Sequence, residues 1–450
     1  MDTLKFSGAR RRKVAVIGSG ISGLSAAWLL SKTADVVLYE SENRPGGHAN
    51  TVDAGSTRDT IAVDTGFIVY NDRNYPNLVA LFDHLNVPTE ASNMSFAASL
   101  NGGGFEYSGS GIGGLLGQRS NIVNPRFWKM LSGIRRFYAE APELAARGDL
   151  GGMTLGEYCD QAAYGRSFIE DHLLPMGAAI WSTTITDMRD YPMEAFIRFF
   201  VNHGLVVVKG RPQWRTVKGG SREYVSRLLA DFAGEVRLGC SVIEVRREAD
   251  HVMVTDTKAG VDIFDDVVIA THADQALAML ADADLTESKI LGAFRYTANT
   301  AVLHSDATLM PQRKQVWASW NFIGDSGMNS EQPLCVTYWM NKLQNLENAP
   351  PMFLTLNPNR EIASEKILAR FEYTHPLFDQ PAIRAQKDLW QLQKRRNTWF
   401  CGAHFGSGFH EDGLQSGLAV AEQLGGMKRP WNVENESGRI VVPDHLVAAE

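Results

Sequence analysis

The 450-residue chain predicts an α/β fold, in which a Rossmann-like dinucleotide-binding half is interrupted by insertions that form a second, α+β unit for substrate. Three observations predict it. Val14–Ile17, Gly18–Gly23, Leu24–Leu30 and Val36–Tyr39 read as strand, glycine turn, helix and strand, a βαβ opening. Further strand runs follow at Val236–Val245, His251–Thr255, Asp266–Ala270 and Trp399–Gly402, as pieces of one architecture scattered along the chain. Between them the sequence is aromatic and irregular in period, with helical spacing at Phe127–Tyr138 and Phe196–His203. The expected organisation is a discontinuous cofactor domain of residues 10–87, 208–273 and 397–430, a substrate domain of 88–207 and 274–396, and a C-terminal strap, 431–450. Asn101–Gly104 reads as a hairpin turn rather than a phosphate loop, because no strand-to-helix switch follows it.

Composition excludes several classes of function. Hydrophobic residues make up 44% and charged residues 21%, and the net charge is −7 with no long basic block, so nucleic acid is not expected as a partner. The four cysteines lie far apart without a CxxC pair, which fits a reducing, cytoplasmic compartment and no metal. Arg10–Lys13 before an apolar run could pass for an export signal, but the same run is the first strand of the cofactor unit, and cleavage would destroy that unit. No apolar stretch reaches the ~20 residues that span a bilayer.

Gly18-x-Gly20-x-x-Gly23 lies between a buried strand and an apolar helix. Gly18 permits the tight turn, Gly20 lets backbone approach a pyrophosphate, and Gly23 lets helix pack on strand; Ser19 and Ser22 sit inside the same loop. The free N–H groups of the helix end and its positive dipole then face the phosphates. Glu40, at the end of the second strand, is placed to accept hydrogen bonds from ribose hydroxyls and to repel a 2′-phosphate, which disfavours NADP. Without those partners the segment is a ligand-free glycine turn.

The next segment narrows the cofactor. Ser41 and Arg44-Pro45-Gly46-Gly47-His48 resemble the second signature of the flavin amine oxidase superfamily, which includes phytoene desaturases and protoporphyrinogen oxidases. Many amine oxidases carry Arg where His48 stands. Asp64-Thr65-Gly66-Phe67 is similar to the family's Asp-x-Gly segment, Trp214–Ser221 to its return into the cofactor domain, and Val242 to the strand position facing adenine. Ala270 and Thr271 close the strand under the cofactor; Gly402-Ala403-His404 and His410–Gly417, with Glu411, Gly413 and Leu414, resemble the closing flavin motif. The resemblance implies FAD, held non-covalently, in an amine oxidase type of Rossmann domain. Cys401 lies in the strand before Gly402, whereas the covalent cysteine of some relatives lies well upstream, so it reads as a buried hydrophobe.

Leu174–Trp181, Asn202–Leu205 and Arg211–Trp214 look like a bacterial subgroup that accompanies cyclopropane- and methyl-fatty-acid synthases and includes desaturases on the way to furan fatty acids. That resemblance implies a fatty acyl desaturase or dehydrogenase, a lipid or fatty acyl substrate, peripheral contact with the inner membrane face, and a fatty-acid methyltransferase as partner. Two other functions stay open: an oxidase of small amines, and a non-catalytic flavin-binding partner of a lipid methyltransferase. His203, His404 and His410 are the candidate catalytic groups, since each adjoins a motif leading to the flavin; equally, they could only hydrogen-bond backbone or flavin carbonyls. Tyr191 and Arg215 read as structural, and Trp317, Trp320 and Trp339 as either core or cavity wall. Phe196, Phe199, Phe200 and His203 share one helix face, either core or substrate wall, while Phe127–Phe137 interleaves apolar residues with cations, which suits an interfacial helix or a solvated one.

Overall fold

The computed structural model describes residues 10–443 apart from 57–58, 149, 208–209, 259 and 326–333. Its centre is a five-stranded parallel sheet in the order Glu235–Arg237, Asp35–Tyr39, Lys13–Ile17, Asp266–Ile269 and Thr398–Phe400. The scattered strand runs of the sequence therefore meet in one sheet. Val14 to Ile17 are all buried, as expected of a parallel strand covered on both faces. The Ile21–Leu30 helix lies over it with every residue buried, and the His410–Gly425 helix packs against that helix. Their backbones come close at Gly417, where a Cβ would sit 2.2 Å from the Ser22 carbonyl oxygen.

The run read as one strand, Val236–Val245, is two. Glu235–Arg237 joins the central sheet, the chain turns at Gly239 with φ +57°, and Val242–Arg247 starts a separate antiparallel sheet with Val252–Asp256 and Gly260–Phe264. A continuous run of β-formers carries no mark of which sheet each half will join.

The second half is a seven-stranded mixed sheet in the order Ile367–Leu377, Arg295–His304, Phe353–Leu356, Cys335–Trp339, Trp320–Gly324, Phe96–Leu100 and Phe105–Ser108. Both insertions contribute to it, joined where Phe96–Leu100 runs parallel to Trp320–Gly324. Asn101–Gly104 is the turn of the Phe96–Leu100/Phe105–Ser108 hairpin, with Asn101 and Gly102 at positive φ. The helices Pro125–Arg147, Leu174–Trp181 and Met193–Asn202 share a second core with this sheet. Residues between 276 and 294 and between 382 and 392, which the sequence groups with the second unit, pack instead into the first core.

The C-terminal segment straps the first half. Trp431 stacks on Trp28 at 6.0 Å and donates to Asn77, and Arg439 pairs with Asp412. Among the described residues no helix is long and apolar enough to cross a membrane.

Candidate active site

A cavity of about 1350 Å³ runs between the two cores. Its first end is built by the glycine loop. Gly18, at φ +99°, has no room for a Cβ, which would lie 3.0 Å from the Ala270 carbonyl oxygen, and a Cβ on Gly23 would lie 1.9 Å from that of Gly18. Gly20 differs: it lines the cavity, and a Cβ there would meet nothing within 4 Å. No side chain caps the helix that starts behind it, so its N-terminal N–H groups are left for a ligand.

Glu40 lines the cavity and also holds the loop. One carboxylate oxygen accepts from the Ser19 N–H and hydroxyl, the other from the Ser41 hydroxyl and the Glu42 N–H. Ser22, Ser41, Gly47, His48, Val242 and Gly402 line the same cavity, as do Thr65, Gly66, Phe67, Ala270 and Thr271.

Seven residues expected at the cofactor lie off the lining and act behind it. Ser19 is turned to Glu40 and accepts from the Gly46 N–H, which locks the glycine loop to the Gly46-Gly47 doublet. Arg44 donates to the carbonyls of Gly47 and Ala49, clamping that doublet from outside. Gly23 and Gly413 are close-packing points, the latter against Ser22, and Leu414 is core. Glu411 is corrected from cofactor contact to helix cap: it accepts from the N–H groups of Asn77 and Leu78 and the side chains of Asn77 and Gln415, satisfying the start of the Pro76–His84 helix.

Five buried polar atoms of lining residues, His48 Nε2, His203 Nε2, His404 Nε2, Trp181 Nε1 and Trp320 Nε1, have no partner among the described residues. An open glycine path, an uncapped helix end and unpartnered imidazole nitrogens fit a dinucleotide with a polar heterocycle at its far end.

Residues 16–85 match the model of an NAD(P)-binding Rossmann-like domain, and 177–307 match that of the flavin containing amine oxidoreductases. The matched segments are those of a flavin-containing oxidoreductase of amine oxidase type. No curated protein matches it significantly. Among solved structures it is similar to a putative protoporphyrinogen oxidase from Exiguobacterium sp. 255-15 (TM-score 0.64, 15% identity, 93% of this chain and 99% of that one). It is also similar to a putrescine oxidase bound to putrescine (0.65, 13%, 92% and 98%) and to a CLA-producing fatty acid isomerase from P. acnes (0.64, 15%, 93% and 99%). At these identities the likeness speaks for the fold.

The cofactor of this flavoprotein is FAD, which when bound supplies a two-electron hydride acceptor. The glycine loop and uncapped helix would hold its phosphates, Glu40 its ribose, Val242 its adenine, and Gly47, Thr65–Phe67 and Gly402 its flavin end. Cys401 is fully buried and off the lining.

His203, His404 and His410 all line the flavoprotein's cavity, and burial pushes each down to about 3. They are neutral at physiological pH. His410 stacks on Phe67 at 3.7 Å with its Nε2 3.1 Å from the Tyr224 hydroxyl, while His203 stacks on Phe199 at 3.8 Å and turns Nδ1 to the Phe199 carbonyl. In that state they suit hydrogen bonding and orientation better than holding a proton.

The sequence named His48 but missed the imidazoles and the phenol gathered around it. His48 lies 5.4 Å from His375, 6.4 Å from His272 and 5.1 Å from the Tyr373 ring, and all four line the cavity. Tyr373 bonds Thr65 and Asn50, tying the second sheet to the cofactor half. His375 and Tyr373 lie two apart on the Ile367–Leu377 strand, so they share a face; the spacing was legible, the register that brings them to His48 was not.

The far half of the cavity, lined from the second core, is largely apolar, with Leu131, Ile134, Met176, Ile180, Phe199 and Leu354 on its wall beside the polar groups of Tyr107, Tyr138 and His172. The aromatic stripe divides: Phe199 and His203 face the cavity, whereas Phe196 and Phe200 stack at 4.0 Å in the core. The Pro125–Arg147 helix divides likewise, Leu131 and Ile134 lining while Phe127, Met130 and Phe137 are core. Of the three tryptophans singled out in the sequence Trp320 lines the cavity, as Trp181 and Trp214 also do; Trp317 and Trp339 pair with each other away from it. Tyr191 packs on Trp181 and Arg215 bonds Thr89, both structural.

Proposed function

We propose that this flavoprotein is a fatty acyl desaturase or dehydrogenase. Such a reaction removes two hydrogens from adjacent chain carbons, one as hydride and one as a proton to a base or water, leaving a double bond; FAD, when bound, would supply the hydride acceptor. The carrying observation is the largely apolar far half: Glu40, on the cofactor side, is the only carboxylate among the described lining residues. Burying a CH₂ contributes about 0.8 kcal/mol, so a long chain is held by such a wall, while an ammonium group would find no counter-charge in it. The fatty acid isomerase among the fold neighbours supports an acyl substrate; the putrescine oxidase keeps the small-amine alternative in view.

Peripheral membrane contact belongs to the same proposal. Residues 107–139 hold five cations and no acid in a chain of net charge −7. Ile112, Val123 and Trp128 stand 78%, 82% and 51% exposed there, and Ile112 is also on the cavity lining, so an apolar chain could pass from bilayer to cavity. A fatty-acid methyltransferase would be the partner supplying a methyl-branched chain.

The test is anaerobic addition of phospholipid vesicles, free fatty acids or small amines to the holoenzyme. Bleaching of the flavin by an acyl lipid is expected; bleaching by amines alone would make it an amine oxidase, and no bleaching by either would favour the non-catalytic alternative.

A further inference from the structure

Besides Glu40, one residue with a permanent charge is on the described lining: Arg211. It lies in the connection from the Met193–Asn202 helix, which belongs to the second core, to the Trp214–Val217 strand. Arg211 is exposed as well as lining, which places it at the rim. Its Nε donates to the Val207 carbonyl at 2.8 Å, and among the described residues neither Nη group has a protein acceptor or an acidic partner. The guanidinium acts electrostatically on the phenol of Tyr138, which lines the cavity on the neighbouring helix. Arg73 is held against Gly210 next to it. The same lining carries the apolar Leu205, Ile134 and Phe199.

We propose that Arg211 anchors the anionic head of the substrate, an oxyanion carried on a long apolar chain. The inference rests on the acyl reading above and adds which end of the chain stays outside. A guanidinium with both Nη groups free presents a fork that matches carboxylate or phosphate geometry. At the rim neither ion is stripped of water, so the pair avoids the desolvation that a buried pair suffers. The chain behind it enters head last, and the distance from head to flavin selects which carbons meet the acceptor. The same charge repels an ammonium substrate at the entrance.

The oxyanion has two sources, the carboxylate of a free fatty acid or the phosphate of a phospholipid. The test is binding to the oxidised holoenzyme by equilibrium dialysis, with oleate, methyl oleate and dioleoyl phosphatidylglycerol vesicles as probes. Wild type and Arg211→Gln are compared at equal FAD content and unchanged melting temperature. A free-acid anchor gives wild type a preference for oleate over methyl oleate of about tenfold or more, lost in the variant, since hydrogen bonds to charged groups contribute ~1.5–3 kcal/mol. A phosphate anchor leaves the two oleates alike and weakens vesicle binding about tenfold in the variant. Arg211→Lys should recover part of either effect. If the variant binds all three probes as wild type does, Arg211 is not the anchor although the acyl function stands. If wild type binds none of them, the acyl function itself fails, and the anchor with it.

Discussion

At Gly20 one side chain decides whether the cofactor enters. A valine there would project into the open path on the cavity side without touching protein, so Gly20→Val should fold and elute free of FAD. Full FAD content per chain after gel filtration would show that the phosphates run elsewhere. Glu40 has a double duty that the motif alone does not reveal, because its carboxylate also fixes Ser19 and Ser41. Glu40→Arg should therefore lower FAD affinity by more than tenfold, at ~1.5–3 kcal/mol per charged hydrogen bond, read by titrating apoprotein with FAD. Unchanged affinity would reduce Glu40 to a solvated strand end. The glycine positions were legible because local sequence alone dictates a turn and a close approach. Glu411 was not: its partners at 77 and 78 lie over three hundred residues away, and nothing near it in sequence marks a helix start to be capped.

Helices show the same boundary between what pattern fixes and what packing fixes. Period alone put Phe196, Phe199, Phe200 and His203 on one face of the Met193–Asn202 helix, but that face is wide enough to serve core and cavity at once. The two roles separate by mutation. Phe199→Arg should keep FAD and lose flavin reduction by acyl lipid, whereas Phe196→Ala should lower stability by about 3–5 kcal/mol, as a large cavity in a core does. A Phe199→Arg protein that unfolds and loses its yellow colour would mark Phe199 as core and remove the tunnel. The cations that spacing suggested on the Pro125–Arg147 helix divide in the same way, and a further exposed one, Arg119, lies just before that helix. Arg136 is taken by Glu140 and the Ala162 carbonyl, and Arg126 by Glu170 and Asp171, while Arg119 and Lys129 stay exposed. Arg119→Glu with Lys129→Glu should weaken sedimentation with anionic vesicles and leave FAD content alone; equal sedimentation would place the membrane face elsewhere. The strands of the central sheet could be read from apolar runs, but the division of Val236–Val245 between two sheets could not, because β-propensity does not name a partner.

Across the molecule, eight of the ten histidines among the described residues are held below their ordinary range, chiefly by burial: His48, His172, His203, His272, His304, His375, His404 and His410. An unfolded imidazole takes its proton near pH 6.5, whereas those with resolved values wait until about 3 to 4, so the unfolded chain binds more protons between these limits. Stability is therefore full above about pH 6.5 and falls as pH drops toward 4, by up to ~2 kcal/mol per imidazole at pH 5. Asp64, raised to about 6 by burial, and Asp266 and Glu411, also raised by burial, work the other way but are three groups against eight. The melting temperature of the holoenzyme should drop steeply between pH 7.5 and 5; a flat profile would mean that the native cavity admits protons. The strand order of the central sheet also sets a timetable. Its strands come from 13–17, 35–39, 235–237, 266–269 and 398–400, and the helix packed on the first βαβ unit ends at Gly425. On the ribosome that opening unit emerges with its apolar faces bare and waits for partners translated far later, a long-range topology that folds slowly and leaves the nascent chain prone to aggregation. The nucleotide cradle closes only once Gly425 has left the exit tunnel, so stable loading with FAD has to wait until nearly the whole chain has been made.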